Sequence, residues 1–313
     1  MKLGQRGFPG SARPVPLTSP VETPSGKSAS GENFPVGSWL LPAELRPHVA
    51  IFYAFARAID DIADNPALAP TDKIARLDGF AAALSGQGTR PGFEKAEHLG
   101  ESLRATGVPT QHGLDLIAAF KQDAVKLRYA DWDDLMGYCV LSASPVGRYL
   151  LDLHGESRDG YGASDALCNA LQVLNHLQDC QDDYRQLNRV YLPLDWMYDA
   201  GGAIEELDHP RASVAIRRVI DRCLDGVEGL MAQARQLPGQ LKNRRLAMES
   251  AVIVRIADRL CRSLRREDPL AGRVVLSKAQ FAACGIRGAM DVLLGRRPAP
   301  TSEFLSSPLT RRP

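Results

Sequence analysis

Two groups of oxygen-bearing side chains share a spacing that could do chemistry. In Asp60-Asp61-Ile62-Ala63-Asp64, Asp60 and Asp64 stand one helical turn apart on one face. Like charges at that spacing repel by roughly 0.2–0.5 kcal/mol. The next basic residue, Lys73, comes too late in the chain to neutralise them. Further on, Asn175, Asp179 and Asp183 recur every four residues, with Gln172 just before them on nearly the same face. Carboxylate and amide oxygens are the ligands Mg²⁺ takes, often shared between a few carboxylates and the phosphates of a substrate. Two such stripes facing each other would trap a diphosphate. The plain alternative is a solvated acidic face, with Arg185 pairing to Asp182 beside the second stripe. The same spacing on two otherwise apolar helices favours the trap. His176 reads as a surface or core histidine rather than a ligand.

The stripes need helices to carry them. After Pro42, the residues Leu45, Val49, Phe52, Tyr53 and Ala56 follow a helical period that runs into Asp60–Asp64 and stops at Asn65-Pro66. Thr71 reads as the cap of a helix to Ala83, followed by a loop at Gly86, Gly88 and Pro91. Another helix starts at Thr110 and passes through Leu114, Ile117 and Lys121 to Val125. Asp131 caps the next, which carries Leu135, Tyr138 and Cys139 and is interrupted at Pro145 and Gly147. Ser164 reads as the cap of a long helix from Asp165 to about Gln186. Helices over 211–235, 240–267 and 277–293 complete the set. The best strand candidate is the short Arg273-Val274-Val275-Leu276. The pattern predicts a single all-α domain over residues 32–294. Residues 1–31 and 295–313 are rich in Pro, Gly, Ser and Thr and are expected to form disordered tails.

Bulk properties exclude several classes. A chain of 313 residues with 44% hydrophobic content can bury a core without staples. A net charge of +1 argues against a strongly basic nucleic-acid binder, so no nucleic acid is expected as partner. The six cysteines are scattered without metal-ligand spacing and read as reduced thiols of a cytoplasmic protein. No stretch reaches the length of a membrane span, and no apolar segment follows Lys2 and Arg6 as in a signal peptide. The segment Phe281 to Leu294, with Arg287, Arg296 and Arg297, reads either as a peripheral membrane contact or as an ordinary outer helix.

The motifs together resemble the squalene/phytoene synthase family. Phe55-Ala56-Arg57-Ala58-Ile59-Asp60-Asp61-Ile62-Ala63-Asp64 is similar to its first aspartate-rich motif. Gln172-x-x-Asn175-x-x-Gln178-Asp179-x-x-x-Asp183, followed by Arg189-Val190-Tyr191-Leu192-Pro193, resembles the second. Tyr138 to Gly147 matches the segment between them, and the resemblance runs from about Asn33 to Leu276. Within the family, Glu32-Asn33-Phe34-Pro35-Val36, Ser142 to Arg148 and Asp179 to Arg185 look most like the hydroxysqualene-forming branch of bacterial hopanoid pathways. Ser30 to Asn33 stand where many members carry a His or Ser-Lys pair, and Ile256 where many carry a Tyr. Both departures sit more easily with an enzyme that handles one preformed diphosphate.

The resemblance implies an all-helical isoprenoid synthase fold with a central cavity. It implies ionisation of presqualene diphosphate with Mg²⁺ held by Asp60, Asp64, Asn175, Asp179 and Asp183, and capture of the cation by water. Arg57 would add a charge-assisted bond to phosphate, and Arg273 would close the far end; each can equally form a structural pair with a nearby Asp. Tyr138 would orient the diphosphate or the capturing water. Phe34, Phe52, Tyr53 and Phe55 offer π faces to a cation, with core packing as the alternative for Phe52 and Phe55. Ser142, Val146, Gly147, Gln172 and Tyr191 would line the substrate site. The chain has no G-x-G-x-x-G after a strand. The other activities in play are head-to-head condensation of two farnesyl or geranylgeranyl diphosphates, and a non-catalytic assembly role. Coupling to other enzymes of the squalene and hopanoid route is the expected partnership.

Overall fold

The computed structural model describes residues 21–22, 41–88 and 91–295. These fold as α1 (Arg46–Asp64), α2 (Pro70–Leu84), α3 (Glu94–Thr106), α4 (Gln111–Asp123), β1 (Arg128–Tyr129), α5 (Trp132–Ser142), α6 (Ser144–Leu153) and α7 (Tyr161–Leu187). Then come β2 (Val190–Pro193), α8 (Leu194–Asp199), α9 (Val214–Ala234), α10 (Leu237–Gln240), α11 (Arg244–Arg266) and α12 (Lys278–Leu293). The all-α expectation is met. The one sheet among the described residues is a short parallel pairing of β1 with β2.

Two apolar cores meet around the acidic stripes. The first gathers Phe52, Phe55, Ile59 and Ile62 of α1 with Leu77, Phe80, Leu99 and Leu116 of α2–α4, and Tyr149 of α6. These α1 residues recur at three- and four-residue intervals, and burying each contributes about 1.5–3 kcal/mol. The second core packs α5, α7, α9 and α11 through Leu135, Leu174, Leu177, Ile220, Leu224 and Leu260. Helix α1 therefore presents its C-terminal turn, and α7 its polar stripe, at the seam between two cores.

Several local readings are corrected. Thr71 does not cap α2; Pro70 opens that helix instead, its fixed φ suited to the first turn. Ser164 lies inside α7, which begins three residues earlier, and is buried. The break between α5 and α6 falls at Ala143, with Pro145 in the first turn of α6. Residues 273–276 form no strand; the Val274 carbonyl instead accepts from Gln178 Nε2 at 2.5 Å. Helix α3 carried no strong sequence signal. Asp131 does cap α5, its Oδ1 accepting from the Asp134 N–H at 2.8 Å.

Two residues of the segment read as an N-terminal tail are described. Val21 is buried, its carbonyl accepts from Arg76 Nη1 at 3.0 Å, and Glu22 pairs with Lys95 at 2.5 Å. Helix α12 lies on α11, where Gly288 sits so close to Val252 that a Cβ would come within 2.7 Å of its backbone. Its outer side leaves Ile286, Met290 and Leu293 exposed. No described helix is long and apolar enough to cross a membrane.

Candidate active site

The stripes face each other across one polar cavity of about 610 Å³. Helix α1 supplies Arg57, Asp60 and Asp64; α7 supplies Gln172, Asn175, His176, Asp179, Asp182, Asp183 and Gln186. Asp123 from the end of α4, Tyr138 and Ser142 from α5, Tyr191 from β2, and Arg189 and Arg273 close the wall.

Arginines hold several of these carboxylates. Arg57 donates to Asp60 at 2.6 Å and to Asp61 at 2.8 Å. Arg273 bridges both oxygens of Asp179, at 3.0 and 3.2 Å. Arg189 donates to Asp64 at 2.5 Å and to the Ala63 carbonyl at 2.8 Å. Asn188 makes this last contact possible. It ends α7 with φ of 52°, a left-handed turn that Asn tolerates, and swings Arg189 back over the cavity. Arg185 pairs with Asp208 rather than with Asp182.

Beneath this layer lies a buried hydroxyl–carboxylate network. Tyr138 donates to Asp123 Oδ2 at 2.6 Å and Tyr191 donates to Oδ1 at 2.9 Å. Burial pushes the Asp123 carboxyl up to about 6, against the pull of Arg189 and the two hydroxyls. His176 stacks on Tyr191 with ring centroids 3.7 Å apart, and its Nε2 lies 3.2 Å from Gln172 Nε2. Burial, helped by Arg189, drives its pKa down to about 3, so the imidazole is neutral at ordinary pH. Lys73 donates to the Ala63 carbonyl at 2.7 Å, and burial followed by Arg189 lowers its pKa.

A second, apolar cavity of about 180 Å³ opens beside the first. Val146, Leu150, Leu167, Leu171, Leu246 and Ile253 are among its walls. Ser142, Gln172 and Asn175 line both cavities and mark their boundary. Gly147 also lines the apolar one. A Cβ there would strike Ser164 Oγ and come within 2.7 Å of Cys168 Sγ, so glycine is what lets α6 close on α7.

A polar chamber rich in oxygen ligands beside an apolar chamber suits a diphosphate with a hydrocarbon tail. Comparison with known proteins decides the family: the squalene/phytoene synthase model matches residues 27–280. The chain belongs to the squalene/phytoene synthase family. Within it, the chain is 44% identical over 282 residues to the hydroxysqualene synthase of Rhodopseudomonas palustris, covering 90% of this chain and 95% of that one. It is 42% identical over 258 residues to that of Zymomonas mobilis, covering 82% and 86%. Squalene synthase HpnC from Alicyclobacillus acidocaldarius superposes with a TM-score of 0.65 at 33% identity, over 74% of this chain and 87% of that chain. A ligand-bound dehydrosqualene synthase shares the fold with a TM-score of 0.69 at 20% identity, over 82% and 89%.

The structure brings together most residues that the family motifs single out. Arg57, Asp60, Asp64, Tyr138, Gln172, Asn175, Asp179, Asp183, Tyr191 and Arg273 line the polar cavity; Ser142, Val146 and Gly147 line the apolar one. The alternative reading of Arg57 and Arg273 as ion-pair partners also holds, since both pair while facing the cavity. Tyr53 stands apart from this group. It lies seven residues before Asp60, roughly 10 Å back along the helix axis, and is absent from both cavity walls. Phe52 and Phe55 are core residues, Phe52 stacked on Tyr149 at 3.9 Å. Phe34 lies outside the described residues. Asp123, His176 and Arg189 were missed as site residues.

The donor set fits Mg²⁺. Six aspartates of the polar wall face three arginines, leaving a negative excess for a hard cation. Among the described residues no three carboxylate, His or Cys side chains converge on one point.

Proposed function

We propose that this chain ionises presqualene diphosphate with Mg²⁺ and lets water capture the cation, giving hydroxysqualene and diphosphate. The observation that carries the reading is the shared boundary: an oxygen-rich cavity lies beside an apolar one, and Ser142, Gln172 and Asn175 line both. The hydroxysqualene synthases at 42–44% identity support the same chemistry.

In this reading Asp60, Asp64, Asn175, Asp179 and Asp183 hold the metal. Bound there, Mg²⁺ would neutralise the negative charge that grows on the leaving diphosphate. Arg57 and Arg273 carry guanidinium groups at two edges of the cavity and add charge-assisted bonds to phosphate oxygens. The walls around Val146, Leu150, Leu171 and Ile253 take the hydrocarbon and exclude bulk water. Tyr138 and Tyr191 line the polar cavity, and a tyrosine face that meets the cation would stabilise it by about 0.5–2 kcal/mol. Because His176 is neutral, it adds no positive charge to oppose that cation.

The test is Asp60→Asn and Asp179→Asn with presqualene diphosphate as substrate. Both should stop turnover with the helical fold intact. Full activity in both would overturn the reading.

A further inference from the structure

Ser142, Gln172 and Asn175 line both cavities, so they surround the place where a carbon bearing diphosphate must lie. We infer that Ser142 and Gln172 hold the water that captures the cation, with His176 as the residue that positions Gln172. This deepens the function proposed above and rests on it.

The argument starts from the water. To attack through a lone pair, it must direct both hydrogens elsewhere, which calls for two acceptors on its far side. Gln172 can supply one. Its amide nitrogen lies 3.2 Å from His176 Nε2, and an amide NH₂ only donates, so the histidine nitrogen accepts. That fixes the amide at one end and leaves Oε1 to accept from another partner. His176 is itself fixed, stacked on Tyr191 with an interplanar angle of 12° and buried. It sets the glutamine as a rigid post.

Ser142 can supply the second acceptor. It is the last residue of α5, facing the same boundary as Gln172 of α7. Its Oγ is buried and has no hydrogen-bond partner among the described residues. Leaving a buried hydroxyl unbonded is unfavourable, so a water within its reach would be held there. Arg57 and the carboxylates of α1 lie in the polar cavity and do not line the apolar one.

The capture step balances as follows. The carbon–oxygen bond to diphosphate breaks and its electron pair leaves with the diphosphate. This leaves a cyclopropylcarbinyl cation, which rearranges; the water oxygen then bonds to a ring carbon as a ring carbon–carbon bond breaks and its electron pair forms the new double bond. One O–H bond of the water breaks, Ser142 Oγ takes that proton, and the serine passes its own proton to a diphosphate oxygen. Without a held water, the cation instead loses a proton from a neighbouring carbon to the same acceptor and ends as a hydrocarbon.

The experiment incubates the full chain with presqualene diphosphate and Mg²⁺, measures diphosphate release, and separates alcohol from hydrocarbon by mass. Ser142→Ala and His176→Phe should each lower the ratio of hydroxysqualene to hydrocarbon by about tenfold, the loss of one positioned hydrogen bond. Ser142→Thr, which keeps the hydroxyl, should restore it. Circular dichroism checks that each variant is folded. An unchanged ratio in either variant overturns the inference. So does a folded Ser142→Ala protein that releases no diphosphate, since the hydroxyl would then serve ionisation. Wild-type protein that makes no hydroxysqualene in the same assay overturns the proposed function instead.

Discussion

The Arg189 guanidinium donates to Asp64 Oδ1 at 2.5 Å, joining the end of α7 to the end of α1 across 125 residues of chain. Its backbone N–H donates to the Asp183 carbonyl at 3.0 Å. One residue thus ties a carboxylate of the first stripe to the backbone beneath the second. Arg189→Met should remove that tie and leave Asp64 beside the buried Asp123. Loss of one partner of a largely buried ion pair costs about 3 kcal/mol, so thermal unfolding should move down by several degrees. Turnover should fall with it. An unchanged melting temperature would mean that the pair is worth no more than a surface contact.

The metal set gives a second prediction. Chelation with EDTA should abolish activity, and added Mg²⁺ should restore it. Asp183→Asn should reduce kcat by about a hundredfold or more, because it removes one of the carboxylates proposed to hold the metal that stabilises the leaving diphosphate. Equal activity with and without EDTA would contradict the metal assignment.

Asp123 gives a prediction in pH. Its carboxyl is raised from 3.8 to about 6 by burial, so between those values the folded state binds more protons than the unfolded one. Stability contributed by this group is therefore fully present below about pH 4 and is lost as pH rises through about 6. Asp123→Asn removes that dependence. The variant should gain stability relative to wild type as pH rises from about 4 to 6, on top of a constant cost for the disturbed tyrosine hydroxyls. Urea unfolding of both proteins across that range measures the difference. A difference that is flat with pH would show that Asp123 titrates normally.

Gly147→Ala tests the closure of α6 on α7. The added methyl would meet Ser164 Oγ and Cys168 Sγ, the latter at 2.7 Å. Overpacking of this kind costs about 1–3 kcal/mol. It should also shift the walls of the apolar cavity and raise KM for the isoprenoid substrate. A variant as stable as wild type would mean that the helices separate at little cost.

The aspartate stripes were legible in the sequence because helical spacing is a local property, and Asp60, Asp64, Asn175, Asp179 and Asp183 needed only their period to be found. The all-helical plan was legible for the same reason. Asp123 was not, because it looks like the ordinary polar end of α4 until Tyr138 and Tyr191 arrive from 15 and 68 residues away. His176 looked like a bystander because its burial comes from packing against β2. Ser164 resembled a helix cap, yet the chain had already turned helical at Tyr161, and the serine packs against Gly147 instead. Positions set by neighbours distant in sequence leave no periodic trace.

The measurement that bears most directly on the central claim is incubation of the purified protein with presqualene diphosphate and Mg²⁺, with and without NADPH, followed by mass analysis of the lipid extract. The account predicts hydroxysqualene in equal amount under both conditions. A hydrocarbon that appears only with NADPH, or no consumption of presqualene diphosphate, would contradict it.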